Sequence, residues 1–309
     1  MAMDDAPGGD DGPDGILAFR AGAREHAHRL PRALPHLPLG TGDRVRLPAD
    51  APVGELVVYR PAGGPETPGV FVNLHGGGFV LGDAQSDDPY CRYLSDVAGC
   101  VVVNLDYLLA PEHPFPAAVH QTADLLAWLA GNASTIGADG SRIAVGGHSA
   151  GGNLSAAACL LTARRAAPRL RGLIVDYAPL DLVTPPSDKL VAGDPRRAGA
   201  AELARIGARF NAWYLPTPAD GGDELASPLL AADVSGLPPT LVITAELDLL
   251  RAEGDRFAEH LRTAGVEVDH VVVPDSDHAF THVGPEEHAA AAWLRMAEFL
   301  RTVLAGERS

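Results

Sequence analysis

The sequence predicts an α/β fold in which helices cover both faces of one largely parallel sheet. From Val70 onward, short runs of Val, Ile and Leu alternate with segments long enough to form helices. Continuous apolar runs are typical of strands that are buried on both faces. With 309 residues, of which 46% are hydrophobic and 21% are charged, the chain can bury a large core round such a sheet.

Eight runs rich in apolar and β-branched residues are predicted as strands. They are residues 45–47, 56–59, 70–74, 101–105, 143–145, 173–177, 241–244 and 268–273. Helices are predicted over a segment that closes with 124–130 and over 150–165, 251–264 and 288–304. This alternation favours parallel strands, because each parallel crossover needs a dozen or more residues.

Two segments interrupt the alternation and are predicted to form a lid. Residues 16–30 carry apolar side chains at roughly helical spacing, and the proline-rich stretch 31–38 follows them. Residues 184–226 are rich in proline and glycine and bracket a helical stretch over 198–215, as an insertion over the sheet would. The predicted organisation is a tail and lid segment over 1–40, then the main domain over 41–309 with its lid insertion at about 184–226.

Charge argues against two classes of partner. The chain carries 40 acidic and 24 basic side chains and a formal net charge of -16, so its field should repel nucleic acid and anionic lipid headgroups. It also lacks an uninterrupted run of about 18 apolar residues. Neither nucleic-acid binding nor stable membrane association is therefore expected.

The N-terminus and the cysteines favour a cytoplasmic location. The first dozen residues are acidic and glycine-rich, which predicts a disordered tail, and they lack the basic and apolar regions of a signal peptide. Cys91, Cys100 and Cys159 are odd in number and have no metal-ligand spacing. We expect reduced, structural thiols.

The strongest chemical motif is the run 147–151, Gly-His-Ser-Ala-Gly, between a predicted strand and a predicted helix. A sharp strand-to-helix turn strains its serine and exposes the hydroxyl, and the glycines on either side allow the backbone to approach closely. The pentapeptide alone is weak evidence. Its strand-turn-helix context makes Ser149 the candidate nucleophile.

A second glycine-rich motif, His75-Gly76-Gly77-Gly78-Phe79, directly follows the predicted strand 70–74. Three consecutive glycines remove every Cβ from a turn, so that backbone N–H groups can point into a site and hold a developing oxyanion. Such runs also make plain turns or cradle phosphates. A phosphate loop would need a following Lys with Ser or Thr, or a different glycine spacing, and neither is present.

A nucleophilic serine needs a base and an orienting carboxylate. Asp248 and His278 each follow a predicted strand, so both are expected at the sheet edge that carries Ser149. Alternatives remain open: Asp248 could instead cap the helix that begins near Leu250. The remaining candidates are Glu246, Asp275 and Asp277 for the carboxylate, and His282 and His288 for the base.

Metal binding is not expected. His278 and His282 are four residues apart, as helical metal ligands are, but neither an HExxH motif nor a third ligand accompanies them.

The ordered motifs resemble the hormone-sensitive-lipase-like branch of the α/β-hydrolases, which includes bacterial esterases. The similarity spans roughly residues 70–280 and is carried by HGGGF at 75–79, DYLLAPEHPFPA at 106–117, GHSAG at 147–151, ASPL at 226–229, DLLRAEG at 248–254 and HAF at 278–280. So many matches in one order are far more specific than any one motif. The resemblance implies an α/β-hydrolase fold with a mostly parallel eight-stranded sheet and a small helical lid.

The resemblance also implies the site. It selects Ser149, Asp248 and His278 as the catalytic triad, and it places the oxyanion-hole N–H groups on Gly77, Gly78 and Ala150. The aromatic residues expected to contact substrate are Phe79, Phe210 and Trp213.

The implied activity is hydrolysis of small carboxylic esters with short to medium acyl chains, without metal or cofactor. A deacetylase of a secondary metabolite that uses the same triad and a non-catalytic ligand-binding relative are the alternatives, and a homodimer is left open as the assembly.

Four residues depart from the family pattern beside these motifs. Asp is usual where His148 stands, Arg where Leu108 stands, and Pro and Asp where Leu249 and Ala252 stand. Because Leu108 and Ala252 replace opposite charges, a deleted ion pair would explain both, since one partner left alone would be a costly buried charge. We therefore expect these two side chains to approach each other near Asp248.

Overall fold

The computed structural model describes residues 13–27, 32–34, 36–37, 42–165, 168–190 and 199–306. The predicted acidic tail, the end of the predicted helix 16–30 and residue 198 of the predicted helix 198–215 lie outside these residues. Within the described part, no helix is long and apolar enough to cross a membrane.

Eight strands in the described part form one sheet, which confirms the predicted fold class. Their order is β1-β2-β4-β3-β5-β6-β7-β8, and all neighbours are parallel except the pairs that β2 makes with β1 and with β4. The strands are β1 (Asp43–Arg46), β2 (Glu55–Tyr59), β3 (Val70–Leu74), β4 (Val101–Leu105), β5 (Ile143–His148), β6 (Gly172–Asp176), β7 (Thr240–Ala245) and β8 (Val268–Val273).

The chain order of the strands reverses at β3, which has β4 on one side and β5 on the other. Open parallel sheets bind ligands outside the carboxyl ends of the strands at such a reversal. Leu74 and Gly147 are register partners at the ends of β3 and β5. The glycine run after β3 and the serine turn after β5 are therefore neighbours in space, although about 70 residues separate them in the chain.

The described helices cover both faces of the sheet and also lie above its edge. They are α1 (Pro13–Ala27), α2 (Asp88–Ala98), α3 (Ala117–Asn132), α4 (Ala150–Arg164), α5 (Ala200–Tyr214), α6 (Arg251–Thr263), α7 (Phe280–Val283) and α8 (Glu286–Val303). One apolar cluster contains the buried faces of α3, α4 and α6, and the other contains those of α2 and α8. This two-sided cover explains the continuous apolar runs of the central strands.

Helix α2 was missed from the sequence. Its signals are Pro89 in the first turn, where proline is favoured, and four buried apolar residues at helical spacing, namely Tyr90, Cys91, Leu94 and Ala98. The polar run before Pro89 hid them.

The two lid helices pack against each other through aromatic rings. Phe19 of α1 lies 5.3 Å from Trp213 and 5.9 Å from Phe210 of α5, measured between ring centroids. The guanidinium of Arg209 lies over the rings of Phe19 and Trp213. The apolar faces of α1 and α5 therefore pack partly against each other.

The expected approach of Leu108 to Ala252 is wrong. Leu108 lies in the loop that follows β4, where its N–H donates to Oε1 of Gln121 on α3. Ala252 is exposed in the first turn of α6, which follows β7, and strands β3, β5 and β6 lie between β4 and β7. The absence of both usual charges, at positions 108 and 252, therefore does not mark two residues that are neighbours in space.

Candidate active site

The serine turn joins β5 to α4 through strained backbone. Ser149 has φ 52° and ψ −122°, a region that residues with a Cβ rarely adopt. A Cβ on Gly147 or on Gly151 would overlap the carbonyl oxygen of Leu74. The turn can therefore pack against the end of β3 only if both positions are glycine, and the Ser149 N–H then donates to the Asp176 carbonyl over 2.8 Å.

Ser149, His278 and Asp248 form one hydrogen-bonded row. Ser149 Oγ lies 3.0 Å from His278 Nε2, and His278 Nδ1 lies 2.7 Å from Asp248 Oδ2. Asp248 is 1% exposed. Its other oxygen, Oδ1, accepts the Leu250 N–H over 2.9 Å, so this carboxylate both supports the turn before α6 and holds the imidazole.

The alternative candidates for the carboxylate and the base make other hydrogen bonds. Glu246 accepts the Asp275 N–H, and Asp277 accepts the N–H of His278. His288 faces the Ser276 hydroxyl over 2.8 Å. The order of strand ends therefore brings Asp248, and not these neighbours, to Nδ1 of His278.

The carboxylate changes the basicity of the imidazole. Burial alone lowers the pKa of His278, but the charge of Asp248 and its hydrogen bond outweigh burial and raise the pKa above its usual value of 6.5. A raised pKa strengthens Nε2 as a proton acceptor toward Ser149.

Gly76, Gly77 and Gly78 of the run after β3 line the same cavity. The Gly76 carbonyl faces His75 Nδ1 over 2.8 Å, and the Gly77 carbonyl accepts the N–H groups of Val80 and Leu81 over 3.2 and 2.9 Å. In a trans peptide the N–H points away from the carbonyl, so the N–H groups of Gly77 and Gly78 face the opposite side. Their φ values of 119° and 60° favour glycine at both positions.

Ala150 is the first residue of α4. An amide at this position has no partner within its own helix. Its N–H therefore remains available beside Ser149, where the positive end of the helix dipole favours negative charge.

A cavity of about 450 Å³ opens between the glycine run and the lid. Its lining combines Ser149 and His278 with lid residues, of which Phe210 lies closest to the glycines. A Cβ on Gly78 would overlap the ring of Phe210. The other apolar side chains at the cavity include those of Ala23, Val80, Leu81, Leu109 and Leu203.

Among the three aromatic residues expected to contact substrate, only Phe210 lines this cavity. Phe79 is 2% exposed and stacks on Tyr214 with ring centroids 3.9 Å apart. Trp213 is 4% exposed and packs against Phe19. These two side chains hold the lid together and to the loop after β3, which sequence spacing could not distinguish from a pocket lining.

The opposite wall of the cavity carries a cluster that the sequence reasoning missed. Asp87 lies between two histidines: its Oδ2 is 3.6 Å from His148 Nδ1, and its Oδ1 is 3.3 Å from His282 Nε2. The two imidazole centroids are 4.0 Å apart. The one available signal was the histidine at position 148, where the resemblance expects an aspartate.

Three potential ligand atoms of this cluster lie within 4.8 Å of one another, but the donor set does not fit a three-ligand metal site. The Gly76 N–H donates to His148 Nε2 over 2.9 Å. A neutral imidazole that accepts at Nε2 carries its proton on Nδ1, which is the atom that would have to bind the metal. Two ligands remain, fewer than zinc sites use.

Comparisons with known proteins agree with this architecture. The model of a family described as having the alpha/beta hydrolase fold matches residues 71–282. A carboxylic ester hydrolase of Mycobacterium tuberculosis is 37% identical over 280 residues, which cover 87% of this chain and 71% of that protein. An arylesterase of Saccharolobus solfataricus is 33% identical over 254 residues, which cover 81% of this chain and 80% of that protein.

Solved esterase structures extend the likeness to nearly the whole chain. A Pyrobaculum calidifontis esterase superposes with a TM-score of 0.79 at 32% identity, covering 94% of each chain. A thermostable Pseudomonas putida esterase gives a TM-score of 0.82 at 29% identity over 97% of this chain and 94% of its own. The chain therefore belongs to the α/β-hydrolase family, in its hormone-sensitive-lipase-like branch.

Proposed function

We propose that this carboxylesterase cleaves esters of short to medium acyl chains with Ser149 as nucleophile, His278 as general base and Asp248 as the carboxylate that orients the base. One observation carries the proposal: Ser149 Oγ is 3.0 Å from His278 Nε2 while Asp248 holds Nδ1 of the same ring at 2.7 Å. This arrangement activates a serine that would otherwise be a weak nucleophile.

In acylation, Ser149 Oγ attacks the ester carbonyl carbon and its proton passes to His278 Nε2. The negative charge that develops on the carbonyl oxygen is stabilised by the N–H groups of Gly77, Gly78 and Ala150, which need no reorganisation during the reaction. When the intermediate collapses, His278 returns the proton to the departing alcohol and the acyl group stays on Ser149.

In deacylation, His278 takes a proton from water as the water oxygen attacks the acyl carbon. The second tetrahedral intermediate uses the same N–H groups. On its collapse His278 gives the proton to the departing Ser149 Oγ, and the carboxylic acid is released. Asp248 stabilises the imidazolium in both halves of the reaction.

Cavity size supports short to medium acyl chains. About 450 Å³ lies within the range of small-ligand pockets, and Phe210 roofs it directly above Gly78. The relatives support ester chemistry as well, since they include an enzyme of Pseudomonas putida named as an ethyl acetate hydrolase. The hydrogen-bonded row argues against a non-catalytic ligand-binding relative, and nothing observed in the site favours a dedicated deacetylase.

Fluorophosphonate labelling combined with a series of p-nitrophenyl esters tests this proposal. We expect one adduct on Ser149 by peptide mass spectrometry and a maximum of kcat/KM between acetate and octanoate. Ser149→Ala should lose the adduct and retain only residual turnover, several orders of magnitude below wild type. His288→Gln, which alters a competing histidine outside the row, should keep both.

An adduct on another residue, or a maximum at dodecanoate, would contradict the assignment of nucleophile or acyl range respectively.

The thiols bear on the proposed cytoplasmic location. Cys91, Cys100 and Cys159 are all buried and free, and burial raises the thiol pKa of each. Inert reduced thiols fit a reducing compartment.

A further inference from the structure

The cluster of Asp87, His148 and His282 contacts the glycine run after β3 through one hydrogen bond. His148, whose side chain is 12% exposed, accepts the Gly76 N–H through Nε2 over 2.9 Å. Gly76 is the first glycine of the run whose next two members supply the N–H groups of the proposed oxyanion hole. A side chain next to the nucleophile in sequence thus holds the glycine loop that lines the same cavity.

The environment of His148 fixes its tautomer. Burial lowers the pKa of His148 to about 3, so the ring is neutral, and its single proton must be on Nδ1 because Nε2 accepts a hydrogen bond. Nδ1 faces the carboxylate of Asp87 at 3.6 Å. The negative charge of Asp87 favours the proton on that side of the ring.

Asp87 is itself held in place. Its side chain is 2% exposed, and Asn73 Nδ2 donates to its Oδ2 over 2.8 Å. Burial raises its pKa, but the imidazoles of His148 and His282 outweigh burial and lower the pKa below the usual range. Asp87 therefore stays charged at neutral pH and acts as a fixed orienting group.

His148 and His75 together hold Gly76 at both ends. His148 takes the N–H, and His75 Nδ1 lies 2.8 Å from the carbonyl of the same residue. The peptide that follows carries the Gly77 N–H. Because glycine has no side chain to restrict it, the orientation of the Gly77 N–H depends on these contacts. That of the Gly78 N–H depends in addition on the hydrogen bonds that the Gly77 carbonyl accepts from Val80 and Leu81.

We propose that His148, locked in one tautomer by Asp87, is a positioning residue that holds the Gly77 and Gly78 N–H groups toward the reacting carbonyl; this inference rests on the proposed function. It also gives a role to the departure at position 148: where the family usually has a carboxylate, this chain has an imidazole, and the carboxylate stands opposite it at position 87.

Removing the acceptor tests the inference. His148→Leu should lower kcat about 10- to 100-fold and leave KM within about 2-fold, because the oxyanion interaction forms only in the transition state. Affinity for a trifluoromethyl ketone, whose adduct with serine carries an oxyanion, should fall by the same factor as kcat/KM. His148→Gln places an amide oxygen near the position of Nε2 and should stay within about 3-fold of wild type.

His270→Leu is the matched control. His270 is also 12% exposed and lies 3.1 Å from a carboxylate, that of Asp255, but it stands on β8 and outside the cavity lining. It should change neither kcat nor ketone affinity. A general loss of activity from removing any buried histidine would appear in this variant too.

Three outcomes overturn the inference. One is a folded His148→Leu enzyme with unchanged kcat and ketone affinity. Another is a raised KM at constant kcat, which would make His148 a substrate contact. The third is a His148→Gln enzyme as impaired as His148→Leu. The wild-type adduct on Ser149 tests the proposed function separately, so the two failures are distinguishable.

If His148→Leu does not fold, Asp87→Asn tests the inference in two backgrounds, the wild type and His148→Gln. In the wild type it frees the tautomer and should lower kcat about 3- to 10-fold. In the His148→Gln background there is no tautomer to fix, so kcat should not fall further. Equal losses in both backgrounds would overturn the role of Asp87.

Discussion

The sheet edge and the lid build the two sides of one cavity by different means. At the sheet edge, backbone hydrogen bonds between neighbouring loops fix the reacting residues: the Ser149 N–H donates to Asp176 over 2.8 Å, and the Leu247 N–H donates to Ser276 over 2.8 Å. The lid is held by side chains. Arg20 of α1 donates to Glu112 and to the carbonyls of Val80 and Ala110.

This difference places the reaction geometry at the sheet edge and the preference for acyl-chain length in the lid. Groups on strand ends are held by backbone hydrogen bonds that every residue type except proline can donate, so the reaction geometry depends on a few side chains placed on a rigid frame. The lid depends on the identity of particular aromatic and charged residues. We therefore expect changes at the sheet edge to alter kcat and changes in the lid to alter stability or chain-length preference.

The largest effect is expected from Asp248→Asn. Without the carboxylate, His278 loses its orientation and the stabilisation of its imidazolium, so kcat should fall about 10⁴-fold. Steady-state kinetics with p-nitrophenyl butyrate measures it. Asp275→Asn should cost far less, because Asp248 holds His278 Nδ1. A loss from Glu246→Gln comparable to that from Asp248→Asn would contradict the assignment of the carboxylate.

The buried ion pair that joins the lid insertion to α6 should give the next largest effect. Lys189 Nζ lies 2.6 Å from Glu253 Oε1, and both side chains are less than 10% exposed. The other oxygen of Glu253 accepts the N–H groups of Leu180 and Asp181. Lys189→Met leaves that charge buried without its partner, so the free energy of unfolding should fall by about 3 kcal/mol.

The loss in Lys189→Met should also depend on pH. Burial raises the pKa of Glu253 even beside Lys189, and without Lys189 the folded-state pKa rises further above the unfolded value. The variant is therefore most stable below the unfolded pKa and loses stability as pH rises through the folded one. Urea unfolding across pH 4 to 8 checks this; a flat difference from wild type would contradict it, and Arg205→Met, at an exposed pair, should change little.

The wild-type pH profile gives a third effect. His278 accepts the serine proton only when neutral, and its pKa is raised above 6.5 by Asp248. The acid limb of kcat/KM should therefore lie above pH 6.5, with activity falling about tenfold per pH unit below it. In Asp248→Asn the residual activity should have its acid limb at lower pH. A limb below 6.5 in the wild type would contradict the coupling.

Phe210→Ala should change the acyl-chain preference and leave the catalytic triad intact. Removing the ring above Gly78 relieves overpacking against longer acyl chains, which costs about 1 to 3 kcal/mol in a packed apolar site. The ratio of kcat/KM for octanoate over butyrate should rise about tenfold. Trp213→Phe, on the same helix but outside the cavity lining, should leave the ratio unchanged; equal shifts in both would mean that the lid acts as a whole.

Arg20→Met should give the smallest effect. Its ion pair with Glu112 is partly exposed, and the two carbonyls that it contacts can bind water instead, so the free energy of unfolding should fall by about 1 kcal/mol. Thermal unfolding measures the change. Glu112→Gln, which keeps both carbonyl contacts, should cost less; the reverse order would show that the ion pair alone holds α1.

Local patterns predicted the fold well where strands are buried on both faces. The bounds of β3 and β4 match the predicted ones, and both strands are fully buried and end before a polar residue. The bounds of β8 match as well, although this edge strand is only partly buried and contains Asp269 and His270. The serine motif indicated Ser149, the family resemblance selected Asp248 and His278, and the structure brings these three together. Helix α2 was missed because its apolar stripe begins inside a run of Ser, Asp and Pro.

The sequence by itself determined which backbone turns are accessible and which residue types the reaction can use: only glycine fits beside Leu74, and only a few side chains can act as nucleophile, base or orienting acid. Tertiary structure decided contacts between residues far apart in the chain. Phe79 packs on Tyr214 rather than facing the cavity. Leu108 and Ala252 follow β4 and β7, which three strands separate, and Asp87 meets His148 across 61 positions. Neither spacing nor periodicity encodes such contacts, because they depend on the order in which the strands lie in the sheet.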